Sequence, residues 1–495
     1  MAFTLLVTKD EVGQPLFFQA EHLFYPAIGW VWYRIWQFFG YGEGALRPLQ
    51  ILNALLGAGG AALFFLALRS LFGRARNGTF ISFAIALGLA FSYGYWYHST
   101  GAEDQIISNV WALASFFVLA VMWRQKESAP YLTLALGITS ALAILLHATQ
   151  VLFLPALLYG LWRVRSHSRH HIIYWAMSLT LLVGISYLLV GSLVHGSSSL
   201  EDYRHWALSA PSQGVWGQLG LSNLWQGVKT LAGSVIYLEG GPNLHSLLSG
   251  TLDGRNILGL MLFVATVAGI VGTIAYSIRY RGQLVQPSLL PLCLLWAAPF
   301  ALFNIYWAPE DIQFWSTILP PLALVLSMAL LHFINRSNRF GTASKGLFVF
   351  GVIAILAFNL ALAMIPNADL STNVGYAKAL CLKDHTEPID LIITPGWDWT
   401  SSYVPYFAHR EVLSIVDSHL LSAERDKAKL LQLVEERIAQ TQAQGGKVYI
   451  ARLYNLDAND RAWLWRTTAL SPEDFPFARK MAHSCLEEPI WEITP

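Results

Sequence analysis

Long apolar runs dominate the chain, with short polar stretches between them. About ten segments approach the roughly 20 mostly apolar residues that cross a bilayer as a helix. They fall at 49–72, 79–97, 105–123, 130–147, 149–163, 173–195, 257–278, 286–306, 314–334 and 345–365. The stretch 130–163 reads either as two helices or as one tilted helix broken near Pro155. Before the first run, 15–41 sets Trp30, Trp32, Trp36 and Phe39 against Glu21, His22 and Arg34. That pattern predicts an amphipathic helix lying in the interface. Residues 1–8 are apolar but too short to span, and they carry neither the basic start nor the cleavage site of a signal peptide. Either the chain starts outside through an unusual insertion or a first helix lies upstream of Met1, and the second is the expectation.

From about 366 the pattern changes. DLIITPG at 390–396 and KVYIARLY at 447–454 predict strands, and 423–443, rich in Glu, Lys and Gln, predicts a helix. Strands alternating with helices point to a small soluble α/β domain. The expected division is 1–365 for the membrane part and 366–495 for the soluble part.

The loops orient the bundle, because basic residues in short loops mark the cytoplasmic side. One set holds Arg69, Arg74 and Arg76; Arg124 and Lys126; Arg163, Arg165 and Arg169; Arg279 and Arg281; Arg336, Arg339 and Lys345. The alternate set holds Asp10, Glu11 and Glu21; Glu103 and Asp104; Glu201 and Asp202; Glu310 and Asp311. With ten spans the two sets alternate without a break, which favours two helices in 130–163. The acidic loops and the C-terminal domain then share the outer face of an inner-membrane-type protein. The loop 196–256 is long, and its Trp206, Trp216, Trp225 and Tyr237 suit the membrane interface.

Composition sharpens this picture. Only 13% of the 495 residues are charged, against about 25% in soluble domains. A net charge of +1 excludes a nucleic-acid partner, which calls for a basic excess. Cys293 lies in an apolar run and reads as a buried small hydrophobe. Cys381 and Cys485 both fall in the polar region, where an extracytoplasmic location would permit a disulfide without requiring one.

Four acidic clusters on one face are the chemical signal, because carboxylates near a bilayer are costly unless used or solvated. Solvation accounts for Glu201 and Asp202. It accounts less well for Asp10, Glu11 and Glu21 beside an interfacial helix, or for the tight Glu103-Asp104 turn. Transfer of a sugar from a lipid phosphate needs a carboxylate to deprotonate the acceptor and a cation for the leaving phosphate. Carboxylates, His22 and Arg34 at one interface would supply both.

Four stretches carry a family resemblance: EHLFYPAIGWVWYRIW at 21–36, FSYGYWYHSTGAEDQI at 91–106, LLHATQVLFLPALL at 145–158 and YWAPEDIQFWSTILPPLALVL at 306–326. In order and placement they resemble the GT-C superfamily of integral-membrane glycosyltransferases, in its protein O-mannosyltransferase and aminoarabinose-transferase branch. The resemblance implies an all-α polytopic bundle of about 10–11 transmembrane helices with a soluble C-terminal α/β domain. It implies a polyprenyl-phosphate-linked sugar donor and a lipid, glycan or protein acceptor. Carried over by position, it implies Asp10 as catalytic base with Glu11 next in line, and Glu103 as the second-loop carboxylate with Asp104 beside it. His22, Arg34 and His147 are then expected at phosphate or sugar, as are Glu310 and Asp311, and a divalent ion, Mg²⁺ or Mn²⁺, is an open question. The chain departs from the family where Asp10 and Glu11 are adjacent, and where Glu103-Asp104-Gln105 replaces Glu-Val-Tyr. A flippase or transporter of lipid-linked glycans would show midplane charges and repeats, which this sequence lacks. A non-catalytic scaffold would not need so many spans.

Overall fold

The computed structural model describes residues 2–9, 17–125, 130–164, 168–207, 217, 219–237, 254–336, 341–396, 399–416 and 427–494. Asp10, Glu11 and Trp216 lie outside the described residues, as does the start of the helix expected at 423–443. The chain divides into a helical unit within Leu6–Met364 and a second unit, Ile365–Pro495.

In the helical unit the apolar runs become α1 (Tyr25–Phe38), α2 (Leu46–Phe72), α3 (Gly78–Ala90), α4 (Tyr93–Thr100), α5 (Gln105–Gln125), α6 (Pro130–Leu146), α7 (Leu154–Arg163) and α8 (Ser168–Leu193). They continue as α9 (Leu221–Val235), α10 (Gly254–Arg279), α11 (Leu289–Trp307), α12 (Ile312–Arg336) and α13 (Gly341–Asn359). Seven helices among the described residues are long and apolar enough to cross a membrane, or eight with a bent pair. The protein is an integral membrane protein. α8, α10 and α13 leave Leu189, Ile278 and Phe350 more than half exposed, as lipid-facing helices do.

Two of the ten runs do not fold as single straight spans. The run 79–97 folds as α3 and α4, bent by 61°. The break leaves the Phe91 carbonyl without a helical partner, and the Asn359 amide supplies one at 2.7 Å. Asn359 also donates to the Val235 carbonyl and accepts from the Tyr237 N–H. A buried amide thus satisfies backbone groups that lipid could not. The run 149–163 splits into a 3₁₀ turn, Ala148–Phe153, and the ten-residue α7, which starts at Leu154 with Pro155 in its first turn. Two Gly on α2 let α4 approach closely. A Cβ at Gly57 would sit 2.4 Å from Ser99 Oγ, and one at Gly60 would sit 2.4 Å from the Tyr95 hydroxyl. The core centres on Trp296, whose ring lies 4.3 Å from Phe153 and 5.3 Å from Phe116.

The second unit is a five-stranded sheet, β1 (Leu391–Thr394), β2 (Glu411–Ser414), β3 (Val448–Ala451), β4 (Arg479–Cys485) and β5 (Glu488–Ile493), in the order β2-β1-β3-β5-β4. β1 pairs in parallel with β2 and β3; β5 joins β3 and β4 antiparallel. Leu391, Ile393, Val448 and Ile450 face one core with Leu430, Val434 and Ile438 of α15 (Lys427–Ala443). Ile392 and Tyr449 face the other, with Ala379 and Leu382 of α14 (Val374–His385). Parallel strands buried on both faces read as continuous apolar runs, which is why β1 and β3 are visible in sequence. The β4–β5 hairpin is not. Its turn uses Leu486 and Glu487 at φ 50° and 67°, where Asn-Gly is the usual signal, and β4 is largely exposed. Cys381 and Cys485 are disulfide-bonded, and Cys293 is buried and free.

Candidate active site

Three segments converge at one end of the helical unit. The first is the 3₁₀ turn Ala20–His22 leading into α1, which carries Pro26 in its first turn. Leu23 packs on Leu145 and Val190, the Phe24 N–H donates to the Leu145 carbonyl at 3.2 Å, and the Tyr187 hydroxyl donates to the Ala20 carbonyl at 2.6 Å. These contacts hold His22 against the ends of α6 and α8. The second segment is the turn 101–104. Asn53 of α2 donates its amide to the carbonyls of Gly101 and Glu103, at 2.8 and 2.6 Å. The third is His147, where α6 ends. Its backbone is extended, and its Nδ1 lies 2.7 Å from Thr149 Oγ1 and 3.3 Å from the Thr149 N–H.

Asp104 is the centre. Its Oδ2 pairs with His22 Nδ1 and lies 3.8 Å from His147 Nε2. Gln313 donates to its Oδ1 at 3.2 Å. The two imidazoles meet edge to face, 4.7 Å apart. Gln105, Ser108, Asn109, Gln150 and Ser316 link α5, the 148–153 turn and α12 beneath the cluster through buried hydrogen bonds.

Burial and charge set the protonation states. Burial lowers the His22 pKa, but the charge and hydrogen bond of Asp104 outweigh it, so the imidazole sits above its ordinary value. Burial raises the Asp104 carboxyl, yet His22 and His147 hold it well below the usual carboxylate range. Burial pushes His147 down to about 3, leaving it neutral. Glu103 is raised by burial, with the Asp104 and Asp311 charges adding to the effect. Asp104 thus meets one imidazole of raised proton affinity and a second that is neutral, beside a carboxyl of increased proton affinity.

The candidates thus divide. His22, Asp104 and His147 come together, with Glu103 adjacent in the same turn and Asp311 within electrostatic reach. Asp311 caps α12 by accepting from the Gln313 N–H at 2.9 Å. Glu310 is exposed. Arg34 lies nine residues into α1 from Tyr25, about 13 Å along the axis. It faces outward, donates to Gln37 and covers the Trp30 ring. Asn53, Tyr25 and Gln313 belong to the site and are not among the sequence candidates. Asn53 had a signal, an amide inside the apolar run 49–72. Tyr25 is fully buried, and its phenol is pushed up by burial and by the charges of Asp104 and Glu103.

No protein-family model matches the sequence, and no curated protein is similar to it. Solved structures are. The crystal structure of ArnT from Cupriavidus metallidurans bound to undecaprenyl phosphate superposes with a TM-score of 0.55 over 95% of this chain and 87% of that one, at 12% identity. The fold is GT-C. The apo structure of the same protein aligns at a TM-score of 0.40 and 13% identity, over 99% and 92% of the two chains. The helical membrane bundle with a small C-terminal sheet unit, expected from the four motif stretches, is observed and agrees with a GT-C fold.

Proposed function

We propose that this protein transfers a sugar, with inversion, from a polyprenyl-phosphate carrier to an acceptor at the extracytoplasmic membrane face. One observation carries the reading. The residues next to the His22–Asp104–His147 cluster in the chain line an apolar groove of about 430 Å³, formed by Phe24, Ile28 and Trp32 of the α1 segment, Leu52 of α2 and Leu142 and Leu146 of α6. Phe24 is two residues from His22, and Leu146 adjoins His147. A charged head on an apolar tail needs that juxtaposition. The ArnT structure that shares the fold holds undecaprenyl phosphate, which supports a lipid donor of that class.

The residues then take these roles. A first-loop carboxylate, Asp10 with Glu11 beside it, takes the proton of the acceptor hydroxyl or amine. The freed lone pair bonds to the anomeric carbon. The bond from that carbon to the phosphate oxygen breaks on the opposite side, and its electron pair leaves with polyprenyl phosphate. Glu103 orients the sugar. His22 donates a hydrogen bond to the leaving phosphate as charge develops on it. Two observations support the orientation. α2, α5, α7, α10 and α12 each carry Arg in the last turn, at the end away from the cluster. The disulfide in the second unit suits an oxidising compartment.

The test is release of free polyprenyl phosphate by the purified protein from a panel of polyprenyl-phosphate sugars, with membrane extract as acceptor source. Release from one donor is expected, falling about 10²–10⁴-fold in Asp10→Asn. Silence across the whole panel with acceptor present would sink the reading.

A further inference from the structure

We propose that His22, Asp104 and His147 form a binding site for a divalent ion of the zinc class. Each residue offers one ligand atom, and all of these atoms lie within 4.8 Å of one another. Zinc holds nitrogen and oxygen at about 2.0–2.2 Å, so ligand atoms around it stand roughly 3.3 Å apart. The 3.8 Å between His147 Nε2 and Asp104 Oδ2 therefore closes by about half an ångström, and the closer His22–Asp104 pair opens, for an ion to enter. The three ligands come from three separate segments, each tied down by its own contacts, so the set is assembled by the fold and not by one flexible loop.

The donor types select the ion. Two imidazoles and one carboxylate suit zinc and its neighbours, whereas Mg²⁺ takes oxygen ligands. Three protein ligands leave a fourth position open, the arrangement of a zinc site that receives an exogenous ligand. Partners behind the ligands fit as well. Thr149 fixes the His147 ring at Nδ1, through its hydroxyl at 2.7 Å and its N–H at 3.3 Å, and so keeps Nε2 on the side of Asp104. Gln313 holds the second oxygen of Asp104 at 3.2 Å, which leaves Oδ2 for the ion. Metal-bound histidines and carboxylates carry such outer partners. Two neutral imidazoles and one carboxylate leave a net single positive charge on a divalent ion, which favours an anion in the open position. That the anion is the donor's phosphate rests on the transfer reading above; the binding itself does not.

At His22 Nδ1 a proton and a metal ion compete, so direct binding decides the matter. The full-length protein, purified in detergent with a histidine-free tag and stripped with chelator, is titrated with Zn²⁺, and bound metal is counted by elemental analysis. Co²⁺ serves as the spectroscopic probe, since its visible absorption reports coordination without turnover. One ion per chain is expected. Asp104→Asn and His147→Gln are expected to weaken binding by about 100-fold or more, and Thr149→Val, which spares all three ligands, by about tenfold. His385→Gln is the control, because Cys381, His385 and Cys485 also cluster within 4.8 Å although their sulfurs are joined. It is expected to change nothing. Folded wild-type protein that takes up no Zn²⁺ would overturn the site. So would binding that survives Asp104→Asn and is lost in His385→Gln. Zinc bound without release of polyprenyl phosphate would leave the site standing and remove the transfer reading; release without zinc binding would do the reverse.

Discussion

Asp104 in the helical unit and Arg410 in the sheet unit are both buried charges, 2% and 9% exposed. Arg410 spends its guanidinium on backbone. It donates to the carbonyls of Ala408, Lys383 and Thr386 and to the Thr386 hydroxyl. Asp104 instead meets two imidazoles that can change protonation, with a raised carboxyl beside them. A charge satisfied by carbonyls has one state and closes a fold. A charge satisfied by titratable side chains has several states and can bind or release something. The His-bearing clusters differ in the same sense: the one in the sheet unit is closed by the Cys381–Cys485 bond, with His385 and His483 stacked 4.6 Å apart, while the helical one sets two imidazoles against a buried carboxylate.

The contrast breaks or holds at defined substitutions. The largest effect is expected from Asp104→Asn, a loss of turnover of about 10²–10³-fold with melting temperature unchanged or raised, because functional sites are rarely optimal for stability. A fall in stability with full activity would make Asp104 structural, like Arg410. Next, Cys381→Ser with Cys485→Ser is expected to destabilise the sheet unit by about 3 kcal/mol, read as faster proteolysis after residue 365, with donor turnover per folded molecule kept. The smallest effect concerns Asp311. Burial, with help from the Glu310 and Asp104 charges and against the Gln313 N–H, pushes its carboxyl up to about 6. Its unfolded value is about 3.9, so between pH 4 and 6 the folded state binds more protons and stability falls as pH rises. Asp311→Asn keeps the cap and removes the charge. It is expected to gain about 1 kcal/mol at pH 7.5, discounted for partial exposure, and nothing at pH 4. Equal gains at both pH values in thermal melts would refute the assignment.

Legibility in the sequence follows from how local each cause is. Apolar length is local, so the spans at 105–123, 286–306 and 345–365 appear where they are read. The bend at 91–92 is not, because Asn359, 268 positions away, makes it tolerable. Glu103 and Asp104 are adjacent in sequence and chemically alike. Only the direction of the turn, held by Asn53, puts Asp104 against two histidines. Arg34 shows the converse: a cation in the right stretch, pointed outward by the phase of α1.

What the sequence determined by itself is the membrane bundle, its alternating basic and acidic ends and the α/β change near 366, since hydrophobicity and charge act residue by residue. What the tertiary structure alone decided is which polar side chains meet. His22, Asp104 and His147 are separated by 82 and 43 positions, and no short-range pattern encodes that meeting, because it is the packing of α1, α2, α5 and α6 that brings their ends together.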